Sequence, residues 1–249
     1  MIPKFLEHHW PILTLLIFSI SVCFLNYSRN TILSGWDNLH PEFAPEVNLR
    51  RALFAVWQEY QSLGLLGGMA HAADLPKTII FWLLSQINFP VYLYRYVWTF
   101  LMLIIGPLGT YFFLDSYLLK NKFNSITTKI AGFLGGLFYL LNLSTLQSFY
   151  TPFDTFTSFY GFFPWIIFFT IRHLSAPNFK NTVLLIVISF LGTPAFYTET
   201  MFVVLAFCLV PFFIEQMLSH KHIFPEIVTS TKTVLTLLIP NLFWFLPVS

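Results

Sequence analysis

The sequence predicts an all-α integral membrane protein of about seven membrane-spanning helices, with a long outer loop after the first. Hydrophobic residues make up 56% of the 249-residue chain and charged residues only 10%, whereas an ordinary soluble domain has about 25% charged residues. The mean hydropathy is +0.70, and the apolar residues are grouped in runs separated by short polar segments. The net charge is only +2 and no basic run is present, so we expect no nucleic-acid partner.

Seven apolar runs define the predicted spans. The first run ends at Leu25 and is followed by Asn26-Tyr-Ser-Arg rather than by a small-residue cleavage site, so we expect a retained anchor and not a removed signal peptide. The fifth run is short and ends in Gly192-Thr193-Pro194, which predicts a broken helix whose freed backbone needs protein or water. The predicted spans cover residues 11–25, 91–118, 130–146, 160–174, 182–193, 201–218 and 234–248.

Residues 27–90 form the predicted outer loop, and part of this loop is expected to be helical. Residues 46–64 repeat apolar side chains at helical spacing, including Trp57 and Tyr60, which predicts an amphipathic helix. Residues 76–88 are apolar over too short a stretch to cross about 30 Å of hydrocarbon. We therefore expect both helices to lie along the membrane surface.

The basic residues predict the orientation of the chain. With a cytoplasmic N-terminus, eight of the thirteen basic residues fall on the inner side, as the positive-inside rule requires. An additional span at 76–88 would move the later lysines outside, so that alternative is rejected. The chain is therefore expected in the plasma membrane with loop 27–90 outside. The inner residues are Lys4, Lys120, Lys122, Lys129, Arg172, Lys180, Lys221 and Lys232.

The acidic residues are sorted to the opposite side and supply the candidate site. Asp37, Asp154 and Glu199 belong to the three successive outer loops of this topology. We expect them to converge on one outer-face cavity, with Arg95 near the outer end of the second span. A carboxylate beside lipid is costly unless it is paired or bound to a metal. Asp37 with Asp154 or Glu199 would form an oxygen-only ligand set that favours Mg²⁺ or Mn²⁺; a site without a metal is slightly favoured.

The layout and several short motifs resemble the GT-C glycosyltransferases, and among them the N-terminal module of the AftD-type arabinofuranosyltransferases. The outer loop opens with Trp36-Asp37-Asn38-Leu39-His40-Pro41 and continues with Trp57 and the aromatic–glycine stretch 60–64. The second span then begins near Tyr94-Arg95-Tyr96-Val97-Trp98. The adjacent acid pair common in this superfamily is absent, because Asn38 follows Asp37.

The resemblance implies transfer of a sugar from a polyprenyl-phosphate donor to a glycan or lipid acceptor outside the membrane. It implies that Asp37 is the general base that deprotonates the attacking hydroxyl, and that cations hold the leaving lipid phosphate. It also implies that the 249 residues are the N-terminal part of a longer protein. The expected substrate-binding residues are Arg95, Arg50, Arg51, Trp57, Tyr60, His40 and Glu42.

Two other functions remain open on the sequence alone. A transporter or flippase for lipids or small solutes would use broken helices, for which Gly106-Pro107 and Gly192-Thr193-Pro194 are candidates, although the charges cluster at one face and no internal repeat is present. A non-catalytic membrane scaffold would use loop 27–90 only to dock a partner. Replacement of Asp37 separates these functions, since a scaffold tolerates it and an enzyme does not.

Overall fold

All regular secondary structure in the described part of the chain is helical, which confirms the all-α part of the predicted fold class but does not show seven spans. The computed structural model describes residues 4–35, 40–54, 68–119, 122–219 and 223–245. The α-helices within these ranges are α1 (Lys4–Leu25), α2 (Pro45–Phe54), α3 (Gly68–Ala73), α4 (Leu75–Gln86), α5 (Tyr94–Phe113), α6 (Ser125–Leu141), α7 (Leu143–Tyr150), α8 (Asp154–Ser175), α9 (Phe179–Leu191), α10 (Glu199–Ser219), α11 (Ile223–Leu238) and α12 (Leu242–Phe245).

Two helical segments of the described chain are long and apolar enough to cross a membrane. They are Val91–Leu118, which contains α5, and Glu199–Leu218, which lies in α10. Helices α6 and α7 form a third candidate if the two are counted as one span bent by 42°. The apolar helices His9–Leu25 and Phe179–Leu191 are shorter. Length and composition thus establish two or three candidate spans.

Asparagine caps set several helix boundaries more sharply than the apolar runs do. The side chains of Asn124, Asn142 and Asn178 each accept a hydrogen bond from the backbone N–H three residues later, at 2.8 to 3.0 Å. Such caps satisfy a donor that the first turn of a helix leaves open. As a result, α6 starts before the predicted residue 130, and the predicted span 130–146 is divided between α6 and α7. Helix α9 likewise starts before the predicted span 182–193.

Proline-containing 3₁₀ turns follow one predicted span and divide another. After α9, a 3₁₀ turn at Thr193–Phe196 follows, as the Gly-Thr-Pro sequence predicts. The predicted span 234–248 is not one helix, because α11 ends before Pro240 and a 3₁₀ turn at Ile239–Asn241 separates it from α12. Proline has no backbone N–H to continue a helical hydrogen-bond ladder. Proline does not break every helix, since Pro107 lies inside the continuous helix α5, where the sequence suggested a break at Gly106-Pro107. Helices α1, α8 and α10 likewise contain Pro11, Pro164 and Pro211.

The first compact unit consists of Met1–Asn38 and Arg95–Phe168, and close helix contacts hold it together. A Cβ added at Gly106 of α5 would lie 2.9 Å from the backbone oxygen of Tyr160 in α8. The Tyr160 ring stacks on that of Tyr139 in α6 with a centroid distance of 4.5 Å. Small residues allow membrane helices to approach this closely. Glycine and stacked tyrosines thus join α5, α6 and α8.

The second compact unit consists of Leu39–Tyr94 and Phe169–Ser249, and it contains the helices of the predicted outer loop. Helix α2 packs against α3 and α4. The Thr193 hydroxyl donates to the backbone oxygen of Ala73 at 2.8 Å, which ties the turn after α9 to the end of α3. Residues 55–64 of the predicted helix 46–64 lie outside the described residues, while α4 covers most of the predicted helix 76–88.

Buried polar side chains join the helices of the second unit. His173 of α8 contacts the hydroxyls of Thr233 in α11 and Thr182 in α9, at 2.8 and 3.1 Å. Ser189 of α9 donates to a backbone oxygen of α11 at 3.1 Å and accepts from the Asn241 amide at 3.1 Å. Hydrogen bonds between helices satisfy polar groups that have little access to water. They also fix the register of α9 against α11.

We expect Gly136→Ala to destabilise the first unit. A Cβ at this position in α6 would lie 2.8 Å from Leu15 Cδ1 and 2.9 Å from the backbone oxygen of Pro107, and a backbone atom cannot easily move aside. The free energy of unfolding should fall by roughly 2 kcal/mol, as for other overpacked cores. Denaturant titration in detergent measures it. Gly132→Ala is the control, since its Cβ would meet only side-chain atoms; equal effects of the two changes would contradict the packing argument.

Candidate functional site

The predicted site residues fall into three groups. Asp37, Trp57 and Tyr60 lie outside the described residues. Arg95 and Asp154 belong to the first unit. The remaining predicted residues belong to the second unit, and they are His40, Glu42, Arg50, Arg51 and Glu199.

Arg95 and Asp154 form a buried ion pair at the starts of two helices. Arg95 lies in the first turn of α5, and Asp154 is the first residue of α8. Arg95 Nη2 lies 3.7 Å from Asp154 Oδ2, and the two side chains are 1% and 13% exposed. Removing a charge from water is costly unless an opposite charge accompanies it. The carboxylate thus stabilises a guanidinium that the fold keeps away from solvent.

A second polar contact lies one helical turn further along the same two helices. Trp98 Nε1 donates to Ser158 Oγ at 3.0 Å, and both side chains are buried. Trp98 follows Arg95 by three residues and Ser158 follows Asp154 by four, which places each pair on one helix face. The sequence pointed to Tyr94–Trp98 but gave no signal for Ser158, because one serine among many apolar residues has no distinctive spacing.

Tyr96 connects the same turn of α5 to the segment that follows α1. The Thr31 hydroxyl donates to the backbone oxygen of Ser28 at 2.9 Å, so Tyr96 Oη donates to Thr31 Oγ1 at 2.8 Å. The Tyr96 ring also packs edge-on against Tyr27 with a centroid distance of 5.1 Å. The chain that leads from α1 towards position 37 is therefore fastened to the first turns of α5.

In the second unit, Glu42 and His40 contact each other directly. Glu42 lies in the 3₁₀ turn Pro41–Phe43 and is almost fully buried. Its Oε1 lies 2.8 Å from His40 Nδ1, so the imidazole provides a donor to a carboxylate that has little contact with water. Two residues predicted for substrate binding thus meet, and His40 is the more exposed of the two.

Of the adjacent arginines on α2, Arg50 is exposed and Arg51 is half-buried. Arg51 Nη2 lies 3.1 Å from His71 Nε2, and guanidinium can only donate, so Nε2 is the acceptor. Burial and the Arg51 charge lower the pKa of His71 from 6.5 to about 4. The imidazole is therefore neutral at pH 7, and its proton is on Nδ1.

Lys77 is a buried cation whose environment the sequence analysis did not predict. Its Nζ lies 2.9 Å from Asp74 Oδ2, and the lysine side chain is only 2% exposed. The two residues stand three apart at the start of α4, where side chains meet on one face. The sequence did contain a signal for this ion pair, namely a lysine in the first turn of a short and otherwise apolar helix. Such a charge is costly to bury without a partner.

Two predicted metal ligands have separate environments within their own units. Asp154 contacts Arg95, and Glu199 is an exposed residue at the start of α10. In the part of the chain that the structure describes, no group of three or more His, Cys, Asp or Glu side chains is placed to hold a metal ion. Asp37 is not among the residues to which this finding applies.

No protein-family model, curated protein or solved structure matches this chain. The likeness to GT-C enzymes therefore rests on the layout of the sequence and its short motifs. The described residues make several charged contacts of their own. The strongest of these are the buried cations Arg95 and Lys77 with their carboxylates.

We expect Asp154→Asn to destabilise the protein, because the change leaves the buried Arg95 guanidinium without the Asp154 charge. Removing one partner of a buried pair costs about 3 kcal/mol or more, and denaturant titration in detergent measures the loss. The double variant Arg95→Met/Asp154→Leu should lose less stability than the summed losses of the single variants Arg95→Met and Asp154→Leu, since no uncompensated charge remains. Additive losses would show that the two charges do not stabilise each other.

The contact of Arg51 with His71 predicts a loss of stability in acid. The unfolded chain takes up a proton on His71 near pH 6.5 and the folded chain only near pH 4. The stability should therefore fall as the pH falls from about 6.5 to about 4. Above pH 6.5, His71 should not change the stability. Unfolding titrations across this range measure the slope. His71→Gln should reduce the slope and Arg51→Gln should reduce it in part. An unchanged slope in His71→Gln would contradict the assignment.

Proposed function

We propose that this chain is a seven-span membrane glycosyltransferase of the GT-C type, with a cytoplasmic N-terminus and loop 27–90 on the outer face of the plasma membrane. It moves a sugar from a polyprenyl-phosphate donor to a glycan or lipid acceptor outside the membrane. Asp37 acts as the general base. The two or three candidate spans and the apolar helices His9–Leu25 and Phe179–Leu191 support a membrane location.

The buried Arg95–Asp154 pair is the observation that carries this proposal. A guanidinium presents a planar set of donors that matches phosphate, and it stays charged at every relevant pH. Arg95 lies in the first turn of α5, where the positive end of the helix dipole also favours an anion. The Asp154 carboxylate lies 3.7 Å from the guanidinium and offsets its buried charge. Arg95 is thus the proposed ligand of the leaving polyprenyl phosphate.

The fastening of residues 27–31 to α5 supports a common site for Arg95 and Asp37. Thr31 and Tyr27 contact Tyr96, which is the neighbour of Arg95 in sequence, and Asp37 follows six residues after Thr31. A short connection of this kind limits how far a general base can lie from the phosphate ligand. The proposal places both residues in one outer-face site.

The proposed reaction is a displacement at the anomeric carbon of the donor sugar. The Asp37 carboxylate takes the proton of the acceptor hydroxyl while that oxygen forms a bond to the anomeric carbon. The bond from the anomeric carbon to the phosphate oxygen breaks, and the polyprenyl phosphate leaves with the electron pair. Arg95 stabilises the negative charge that develops on this group. Arg50 and Arg51 on α2 are proposed as substrate-binding cations on the resemblance of the sequence alone.

The remaining predicted residues have supporting roles in the proposal. Glu42, held by His40, and the aromatic residues Trp57 and Tyr60 are proposed to contact the sugars. A metal is not needed for the charge on the leaving phosphate if arginine carries that role. If Mg²⁺ or Mn²⁺ takes part, Asp37 with Asp154 or Glu199 would hold it.

Sugar transfer by membranes that contain the full-length protein tests the proposal. The assay offers a panel of radiolabelled polyprenyl-phosphate sugars and compares the wild type with Asp37→Asn. We expect transfer from one donor, and a loss of about a hundredfold or more in Asp37→Asn because general-base catalysis is removed. Arg95→Lys should lose about tenfold, since lysine cannot reproduce the planar donor set.

Glu215→Gln is the matched control, because Glu215 is an exposed carboxylate on α10 and should keep full transfer. Each variant is also compared with the wild type in amount and in unfolding midpoint, so that a folding defect is not mistaken for a catalytic one. Transfer from no donor, or full transfer by Asp37→Asn, would overturn the proposal. The transporter and the scaffold would then be the better hypotheses.

A further inference from the structure

A pocket of about 550 Å³ lies in the first unit, away from the starts of α5 and α8 that carry Arg95 and Asp154. It is formed by the beginning of α1, the end of the α5 segment and the beginning of α6. Its polar lining includes His9, Asp115, Ser116, Ser125 and Lys129. The volume is within the range of small-molecule sites. None of these residues has a role in the proposed transfer reaction.

A π-helical turn shapes one wall of this pocket. Helix α5 continues into a π-helix at Leu114–Leu118, whose wider turn is closed by the hydrogen bond from Leu119 N to the backbone oxygen of Leu114 at 3.0 Å. Asp115 and Ser116 lie in this turn. This π-turn ends the helical segment that begins with α5. Its wider winding turns its side chains relative to the preceding α-helical face, and two polar residues of the turn line the pocket.

The two charged walls restrict the chemistry of a ligand. Asp115 on the π-turn repels a simple anion, and Lys129 in the second turn of α6 repels a simple cation. A molecule that carries an ammonium and a phosphate a few bonds apart complements both charges. The hydroxyls of Ser116 and Ser125 add hydrogen-bonding groups for the phosphate oxygens.

Apolar residues beside the pocket indicate where such a ligand comes from. Phe123 and Ile126 are strongly exposed, at 57% and 72%, and Phe123 also lines the pocket. In the predicted topology, this end of α1, α5 and α6 lies at the cytoplasmic surface of the membrane. Exposed phenylalanine and isoleucine at that depth suit contact with acyl chains. We propose that the pocket binds the phosphoethanolamine headgroup of a phospholipid.

Native mass spectrometry of the full chain, equilibrated with equal amounts of three phospholipids, tests this proposal. The lipids carry phosphoethanolamine, phosphocholine and phosphoglycerol headgroups. We expect the wild type to prefer the phosphoethanolamine lipid about tenfold, because only its headgroup brings a positively charged hydrogen-bond donor to the Asp115 carboxylate. Phosphocholine has a charge without an N–H, and phosphoglycerol has only neutral hydroxyl donors. Asp115→Asn should lose this preference, and Lys129→Gln should bind all three lipids more weakly.

Glu215→Gln and Lys122→Gln are the matched controls, since both remove an exposed charge outside the pocket, and both should keep the preference. Equal binding of the three lipids by the wild type would overturn the proposal without reference to any variant, and so would an unchanged preference in Asp115→Asn. A separate experiment measures the binding of soluble phosphoethanolamine to the protein. If this compound binds the protein while the lipid does not, the same headgroup chemistry belongs to a soluble ligand and the lipid assignment is wrong.

Discussion

The cost of burying a charge in an apolar protein is the constraint on which the proposed site depends. Arg95 and Lys77 are both almost fully buried, and each is placed beside a carboxylate. In a chain with so few charged residues, a buried cation cannot rely on a general surplus of nearby acids, and the fold has to place a particular partner beside it. At Arg95 this partner comes from the start of another helix, so the position of the guanidinium depends on how α5 packs against α8. Any chemistry at Arg95 therefore depends on the close contact that Gly106 and Tyr160 allow between those helices.

The same constraint explains the polar contacts within the second unit. His173, Ser189 and Asn241 are buried, and all three find hydrogen-bond partners on neighbouring helices. Because apolar side chains alone do not fix the rotation of one apolar helix against another, directional bonds of this kind select one register. The resulting pattern is an apolar exterior combined with a few polar contacts between helices. That pattern is typical of proteins that are surrounded by lipid.

Local signals in the sequence predicted the helical class and several helix ends, whereas contacts between distant residues could not be predicted. The apolar runs locate most helices, and Pro240 and Gly192-Thr193-Pro194 mark real interruptions. The caps at Asn124 and Asn142 were available in the sequence but were outweighed there by apolar length. At the site, the sequence assigned Arg95 and Asp154 to one outer-face cavity, as a substrate ligand and a metal ligand. It had no means to show that they contact each other, since their pairing depends on the packing of two helices nearly sixty residues apart. Asp37 stays a prediction, as do Trp57 and Tyr60.

The side chain of Asn142 makes hydrogen bonds on both sides of the bend between α6 and α7. The Asn142 side chain accepts from Thr145 N and donates to the backbone oxygens of Phe138 and Tyr139, so groups that the break exposes are satisfied by the residue at the break itself. Asn142 is also the asparagine of the acceptor sequence Asn142-Leu143-Ser144. Attachment of a glycan would remove one hydrogen from the amide that makes both donations and would place a bulky sugar within the joint. The folded protein therefore cannot be N-glycosylated at this position without opening the bend.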